Sequence, residues 1–114
     1  MTLPEQVVQR QLEAYNARDL QGWLATYHPE AEHYQLHGPL IAVGRDALGS
    51  RIRVRFQEPD LHARLLRRIV MGNLVVDHEE ITRTFPTGRG SVEMLCVYEV
   101  EGPYIRKASF AVLP

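Results

Sequence analysis

Apolar residues near the start of the chain recur at helical spacing. Val8, Leu12 and Tyr15 stand at i, i+4 and i+7, which places them on one side of a helix. The same template fits a second set, preceded by the N-cap residue Asp19, that comprises Leu20, Trp23, Leu24 and Tyr27. We therefore predict two helices, the second ending at His28-Pro29, because the residue before a proline avoids the helical conformation.

The periodicity changes twice between residues 31 and 56. Alternation over Ala31–His37 predicts a short strand with one side formed by His33, Gln35 and His37. The segment Gly44–Phe56 fits both periods, since residues 51–56 alternate while apolar residues at 48, 52 and 56 are four apart. Asp46 and Ala47 favour the helical alternative, which we adopt.

Strands dominate from residue 61 onward. The predicted strands are Leu61–Met71, Leu74–Phe85, Val92–Glu101 and Tyr104–Leu113. Their turns contain Gly72-Asn73, Pro86–Gly90 and Gly102-Pro103, and such short glycine-containing turns connect hairpins. Helices followed by an antiparallel meander predict a single α+β domain over residues 1–114.

The strand Val92–Glu101 is apolar on both faces. Met94, Cys96 and Tyr98 alternate with Leu95 and Val97. A sheet with helices on one side needs a second cover when its other side is also apolar. We therefore predict a homodimer that forms through the sheet.

Two stretches resemble a known family. Tyr15-Asn16-Ala17-Arg18-Asp19, followed by Trp23, Tyr27 and later Gly44-Arg45-Asp46, resembles the first half of SnoaL-like and ketosteroid-isomerase-like proteins. Tyr98-Glu99-Val100 and the strand through Phe110 resemble their last hairpin. The resemblance implies a nuclear-transport-factor-2-like (NTF2-like) cone, with N-terminal helices packed on a strongly curved antiparallel sheet around an apolar pocket. Such folds include enzymes and binding modules, so the resemblance alone selects no reaction.

The resemblance also allows a test of the ketosteroid isomerase mechanism, which uses an aspartate base, a tyrosine and a protonated aspartate. An alignment of Tyr27–Leu48 without gaps puts Gln35 at the base. The tyrosine position falls on Gln11, with Tyr15 one turn beyond it, and the protonated aspartate position falls on Cys96. An amide cannot accept a proton at neutral pH, and a thiol is a weak donor. We do not expect that mechanism in its usual form.

The densest run of titratable residues is Asp77-His78-Glu79-Glu80, in an otherwise apolar strand. If Val75 and Ile81 face the pocket, Asp77 and Glu79 face it too; the opposite phase would bring in His78. A carboxylate in an apolar cavity has a raised pKa and can act as acid or base, although it can also form a structural ion pair with an arginine. Glu79 is the stronger candidate because it lies nearer the middle of the strand.

Other predicted site residues surround these acids. His33, His37 and Tyr15 are candidates for proton transfer or orientation. Predicted substrate contacts, several of which could equally be core residues, are Gln35, Trp23, Tyr27, Met94, Cys96 and Tyr98. We predict no metal, because strand residues four apart, such as His33 and His37, lie roughly 13 Å from each other.

Seven arginines between residues 45 and 68 raise the question of an anion site. They are Arg45, Arg51, Arg53, Arg55, Arg64, Arg67 and Arg68. On a helix only Arg51 and Arg55 share a face, and acids such as Glu58 are available to the others. We therefore predict solvated or ion-paired arginines.

Composition limits the possible partners. The net charge of −1 does not suggest nucleic acid, and no apolar stretch is long enough to cross a membrane. A single cysteine excludes an internal disulfide, and the absence of a signal-like N-terminus predicts a cytoplasmic protein.

The leading hypothesis is an enzyme, or degenerate enzyme, that needs no cofactor and acts on a small apolar molecule by general acid–base chemistry. Isomerisation, dehydration and hydrolysis stay open. The alternative is a non-catalytic module for ligand binding or dimerisation.

Overall fold

Three helices and six strands make up the computed structural model, which describes residues 2–113. The helices are α1 (Pro4–Ala17), α2 (Leu20–Ala25) and α3 (Gly44–Arg55). The strands are β1 (Tyr27–Gln35), β2 (Leu40–Val43), β3 (His62–Met71), β4 (Leu74–Phe85), β5 (Gly88–Glu101) and β6 (Tyr104–Leu113). The predicted α+β class is confirmed.

The strands form one curved, open sheet in the order β2-β1-β6-β5-β4-β3. The predicted meander from β3 to β6 is confirmed, and β1 pairs with β2 in the antiparallel sense. The expectation of a wholly antiparallel sheet is wrong, because β1 pairs with β6 in the parallel sense. Parallel neighbours need a long crossover, here residues 36–103, and local periodicity cannot reveal such a pairing.

The boundary between α2 and β1 also differs from the prediction. Asp19 caps α2 as expected, its Oδ1 accepting a hydrogen bond from the Gly22 N–H at 3.0 Å. The helix ends at Ala25 rather than at residues 28–29, and Tyr27 already belongs to β1. Pro29 is tolerated in this strand because it lies where the register with β6 shifts, so no regular ladder bond is lost.

The core lies between the helices and the inner face of the sheet. Its larger cluster joins Val7 and Val8 of α1 to residues of the inner sheet face such as Val75, Tyr98 and Ile105. A second cluster consists of Leu12, Leu61, Ala63 and Ile81. The two clusters hold α1 across the sheet and leave a hollow beneath the helices.

The outer face of the sheet stays partly apolar. Ile69, Leu95 and Leu113 are exposed there and border a shallow groove of about 490 Å³. An exposed apolar face agrees with a homodimer but does not by itself show one, so the homodimer stays a prediction. Among the described residues, no helix combines the length and the apolar character needed to span a membrane.

Candidate functional site

A cavity of about 230 Å³ lies between the three helices and the inner face of the sheet. Its walls are largely apolar and include Leu12, Leu48, Ile52, Ile81 and Phe110. The polar residues among its lining are Gln11, Tyr15, His33, Arg51, Arg55, Glu79 and Tyr98. An apolar hollow with a few converging polar groups is the usual form of a small-molecule site.

The inward phase of β4 brings its two central acids to the inner face of the sheet. Asp77 and Glu79 are buried together with Val75 and Ile81, while His78 and Glu80 are partly exposed on the opposite face. Of the two orientations that the sequence allowed, β4 therefore has the one with Val75 and Ile81 inside. His78 lies on the outer face, where its Nε2 is 2.7 Å from Oε1 of Glu93.

Glu79 is the acid that lines the cavity. Its exposed fraction is 4%, and its Oε2 has no hydrogen-bond partner among residues 2–113. Burial raises the pKa of Glu79 to about 7, and the negative charge of Asp77 adds to this rise while Arg68 opposes it. The carboxyl group is therefore about half ionised at neutral pH, so it can either accept or donate a proton.

Asp77 has a different environment, although its exposed fraction is 0%. Its two oxygens accept hydrogen bonds from Nε and Nη2 of Arg68 at 2.7 and 2.9 Å. The Nη1 of Arg68 donates to Oε1 of Gln9 on α1 at 2.9 Å. Asp77 does not line the cavity, so it forms the structural ion pair that the sequence left as an alternative.

His33 lines the cavity within a cage of aromatic rings. Its ring centroid lies 5.0 Å from that of Phe110, 5.1 Å from Tyr27 and 6.0 Å from Trp23. Burial, aided by the positive charge of Arg51, lowers the pKa of His33 to about 4. The imidazole is therefore neutral at pH 7, and its Nε2 has no partner in the described part of the chain.

The other two members of the predicted polar strand face do not join His33. Gln35 and His37 are exposed and do not line the cavity. The strand ends at Gln35, where the Gly38 N–H donates to the Gln35 carbonyl at 2.9 Å and closes a turn. His37 lies in this turn with a φ of 56°, so the alternation assumed from the sequence stops before it.

The remaining predicted contacts all line the cavity: Tyr15, Trp23, Tyr27, Met94, Cys96 and Tyr98. The Tyr98 hydroxyl donates to Gln11 Oε1 at 3.3 Å, and burial keeps the pKa of Tyr98 well above its usual range. Burial also raises the pKa of Tyr15, against the opposing charge of Arg55. These hydroxyl groups stay protonated and can serve as neutral hydrogen-bond donors.

Sequence reasoning missed three cavity residues: Gln11, Arg51 and Arg55. The shared face of the two arginines was visible from their spacing. Which side of α3 turns toward the cavity depends on how the helix docks on the sheet, and the low amphipathicity of this arginine-rich segment left that undetermined. Within residues 2–113, no group of three or more His, Cys, Asp or Glu side chains is arranged to hold a metal ion.

The family model described as the SnoaL-like domain matches residues 8–107. The chain belongs to this family. The matched range includes α1 through most of the meander and contains both acids of β4. No functionally curated protein matches this SnoaL-like chain.

Solved structures share the fold of this SnoaL-like domain. An uncharacterized cystatin-fold protein from Novosphingobium aromaticivorans superposes with a TM-score of 0.89 at 20% identity, covering 97% of this chain and 99% of that one. IdmH, a putative polyketide cyclase from Streptomyces antibioticus, gives 0.82 at 20% identity, with 97% and 92% covered. A putative SnoaL-like polyketide cyclase from Shewanella denitrificans gives 0.81 at 10% identity, with 98% and 91% covered. At these identities the likeness establishes the fold alone.

Proposed function

We propose that this protein is an enzyme that binds a small, largely apolar molecule in the cavity and moves protons through Glu79, with no cofactor. The observation that carries the proposal is a single carboxyl group in an apolar cavity, with one oxygen free of protein partners and a pKa of about 7. General acids and bases work best when their pKa is close to the working pH.

The expected reaction begins when ionised Glu79 takes a proton from a carbon beside a carbonyl group of the ligand. The same carboxyl group then returns the proton to the ligand at the same or another atom, so the enzyme ends unchanged. Tyr15 and neutral His33 line the same cavity and supply hydrogen bonds to the ligand oxygen on which charge develops. In isomerisation the proton goes to a different carbon of the enolate. In dehydration it goes to a β-hydroxyl oxygen, whose C–O bond breaks as the C=C bond forms, so that water leaves. Membership of the SnoaL-like family, and two fold neighbours named as putative polyketide cyclases, support an enzyme that acts on a small molecule.

Deuterium exchange tests the proposal without knowledge of the natural substrate. Cyclohexanone is a single-ring ketone suited to a cavity of about 230 Å³, and its α-protons exchange with D₂O slowly unless a catalyst removes them. We expect the protein to accelerate this exchange, as measured by the loss of the α-proton signal in NMR spectra, and Glu79→Gln to remove the acceleration. Glu80→Gln changes the neighbouring acid on the outer face and is the matched control.

Exchange that is equally fast in Glu79→Gln and in the wild type would rule out Glu79 as the base. Binding of the ketone without any exchange would favour the non-catalytic module. That alternative draws support from Gln11 and Cys96, which stand where the resemblance puts the hydrogen-bond donors of the isomerase.

We also propose that two copies associate through the outer face of the sheet. Exposed Ile69, Leu95 and Leu113 give this face an apolar surface that a second copy would cover. Analytical ultracentrifugation should give twice the chain mass of 13.1 kDa, and a monomer at micromolar concentration would exclude the dimer.

A further inference from the structure

We infer that the natural ligand is an amphipathic carboxylate whose apolar body fills the cavity and whose acidic group binds Arg51 and Arg55. The carboxylate is the substrate class for the proposed function. The inference rests on that function in one respect, that this cavity is the ligand site.

The first observation is the placement of the two arginines. Arg51 and Arg55 are one turn apart on α3, and both line a cavity whose walls are otherwise mostly apolar. Arg51 is exposed at the edge of the cavity and Arg55 is half-buried, whereas Arg53, which lies between them in sequence, does not line the cavity. The two guanidinium groups thus belong to the cavity as a pair, and they reach it from the same side.

The second observation is that the protein does not neutralise this pair. Arg51 forms no ion pair or hydrogen bond with any of residues 2–113. Nε of Arg55 lies 3.5 Å from Glu58 Oε2, but Glu58 already accepts hydrogen bonds from Arg83 at 2.8 and 2.7 Å. One carboxylate therefore serves two arginines, and Arg51 has none. Arg51 is exposed, so its guanidinium is solvated and free to pair with an anionic ligand in the cavity.

The positive charges also act on the interior of the cavity. Arg51 helps to lower the pKa of buried His33, and the charge of Arg55 opposes the rise in the pKa of Tyr15. Asp77 and Arg68 are the charged groups that most affect Glu79. The two arginines reach the cavity from α3 and Glu79 from β4, so a ligand carboxylate held by the arginines leaves Glu79 available to act on the rest of the molecule.

The ligand's size follows from the cavity. A volume of about 230 Å³ corresponds to roughly eight water molecules at about 30 Å³ each. This space suits one ring with a short side chain. A guanidinium group can bind a carboxylate through two parallel hydrogen bonds, which gives an acid both affinity and a fixed orientation.

Cyclohexylacetate and cyclohexylacetamide are a matched pair of probes, equal in shape and different in charge. Titration calorimetry measures their affinities, and Trp23, the sole tryptophan, reports entry into the cavity by fluorescence. We expect the acid to bind about tenfold more tightly than the amide, and added salt to weaken only the acid. Arg51→Gln and Arg55→Gln should each lower the affinity for the acid about fivefold or more and leave that for the amide unchanged. Arg53→Gln is the control and should change neither.

Equal binding of acid and amide, or full acid binding by Arg51→Gln and Arg55→Gln, would overturn this inference and leave the cavity as a ligand site. Absence of binding by both probes would overturn it together with the proposed function. Deuterium exchange depends on Glu79 alone, so the two hypotheses can fail separately.

Discussion

Asp77 and Glu79 lie two residues apart on the same face of β4, and both are buried, yet their surroundings differ in kind. Both oxygens of Asp77 are bound by Arg68, which Gln9 holds in turn. Glu79 has no arginine of its own and borders a cavity. Burial alone therefore does not decide whether an acid is structural or reactive. The presence of a fixed counter-charge does.

The largest expected effect comes from removing Arg68, the partner of Asp77. Arg68→Ala leaves Asp77 as an uncompensated buried charge, and we expect the free energy of unfolding to fall by about 4 kcal/mol. Urea denaturation at pH 7 measures the change. Arg64→Ala removes the exposed pair with Glu80 on the same two strands and should cost less than about 1 kcal/mol. Similar losses in both variants would show that the Arg68–Asp77 pair is not a structural anchor.

The pH dependence of stability tests whether Glu79, the acid without a fixed counter-charge, has a raised pKa. Folded Glu79 keeps its proton up to about pH 7, whereas a glutamate in the unfolded chain loses it near 4.5. Between these values the unfolded state binds fewer protons, so the contribution of Glu79 to stability falls as pH rises. We expect the unfolding free energy of the wild type, minus that of Glu79→Gln, to drop by about 3 kcal/mol from pH 4 to pH 8. A constant difference would show that the pKa is not raised.

His33 should have a somewhat smaller effect of opposite sign. A histidine in the unfolded chain binds a proton below about pH 6.5, but folded His33 does so only near pH 4. Its contribution to stability is therefore lost as pH falls through this window. The wild type minus His33→Asn difference should fall by roughly 3 kcal/mol from pH 7 to pH 4, slightly less than the change for Glu79, measured by the same denaturation series. Exposed His62→Asn is the control, and a decline of equal size there would contradict the assignment.

Between pH 4.5 and 6.5 the contribution of Glu79 to the unfolding free energy falls as pH rises, while that of His33 increases. In this range the two changes offset each other in the wild type. Each single substitution should therefore reveal the pH dependence due to the other residue.

Much of the architecture could be predicted because it is encoded locally. Glycine turns mark the hairpins, helical spacing marks α1 and α3, and the apolar residues Val75 and Ile81 indicate the inward phase of β4. The parallel pairing of β1 with β6 joins segments about 80 residues apart, and β2 is only four residues long, so neither leaves a local pattern.

The site was harder to predict because partners decide its chemistry. The two-residue turn at Gly72-Asn73 already implies the register that puts Arg68 opposite Asp77, so their ion pair could have been predicted by counting back from the turn. The position of His37 depended on a turn that begins two residues before it, at Gln35, and includes it. The cavity-facing arginines depended on the docking of α3, which no short-range pattern specifies.

The position of β6 has a consequence for biosynthesis. This strand lies between β1 and β5, so it connects the pair β1–β2 to the strands β3–β5. Its Phe110 forms part of the cavity wall. A nascent chain that still holds residues 104–113 in the ribosomal exit tunnel has two unconnected pieces of sheet. A ligand can therefore assist folding only after translation of this segment is complete, and it cannot act as a template for the growing chain.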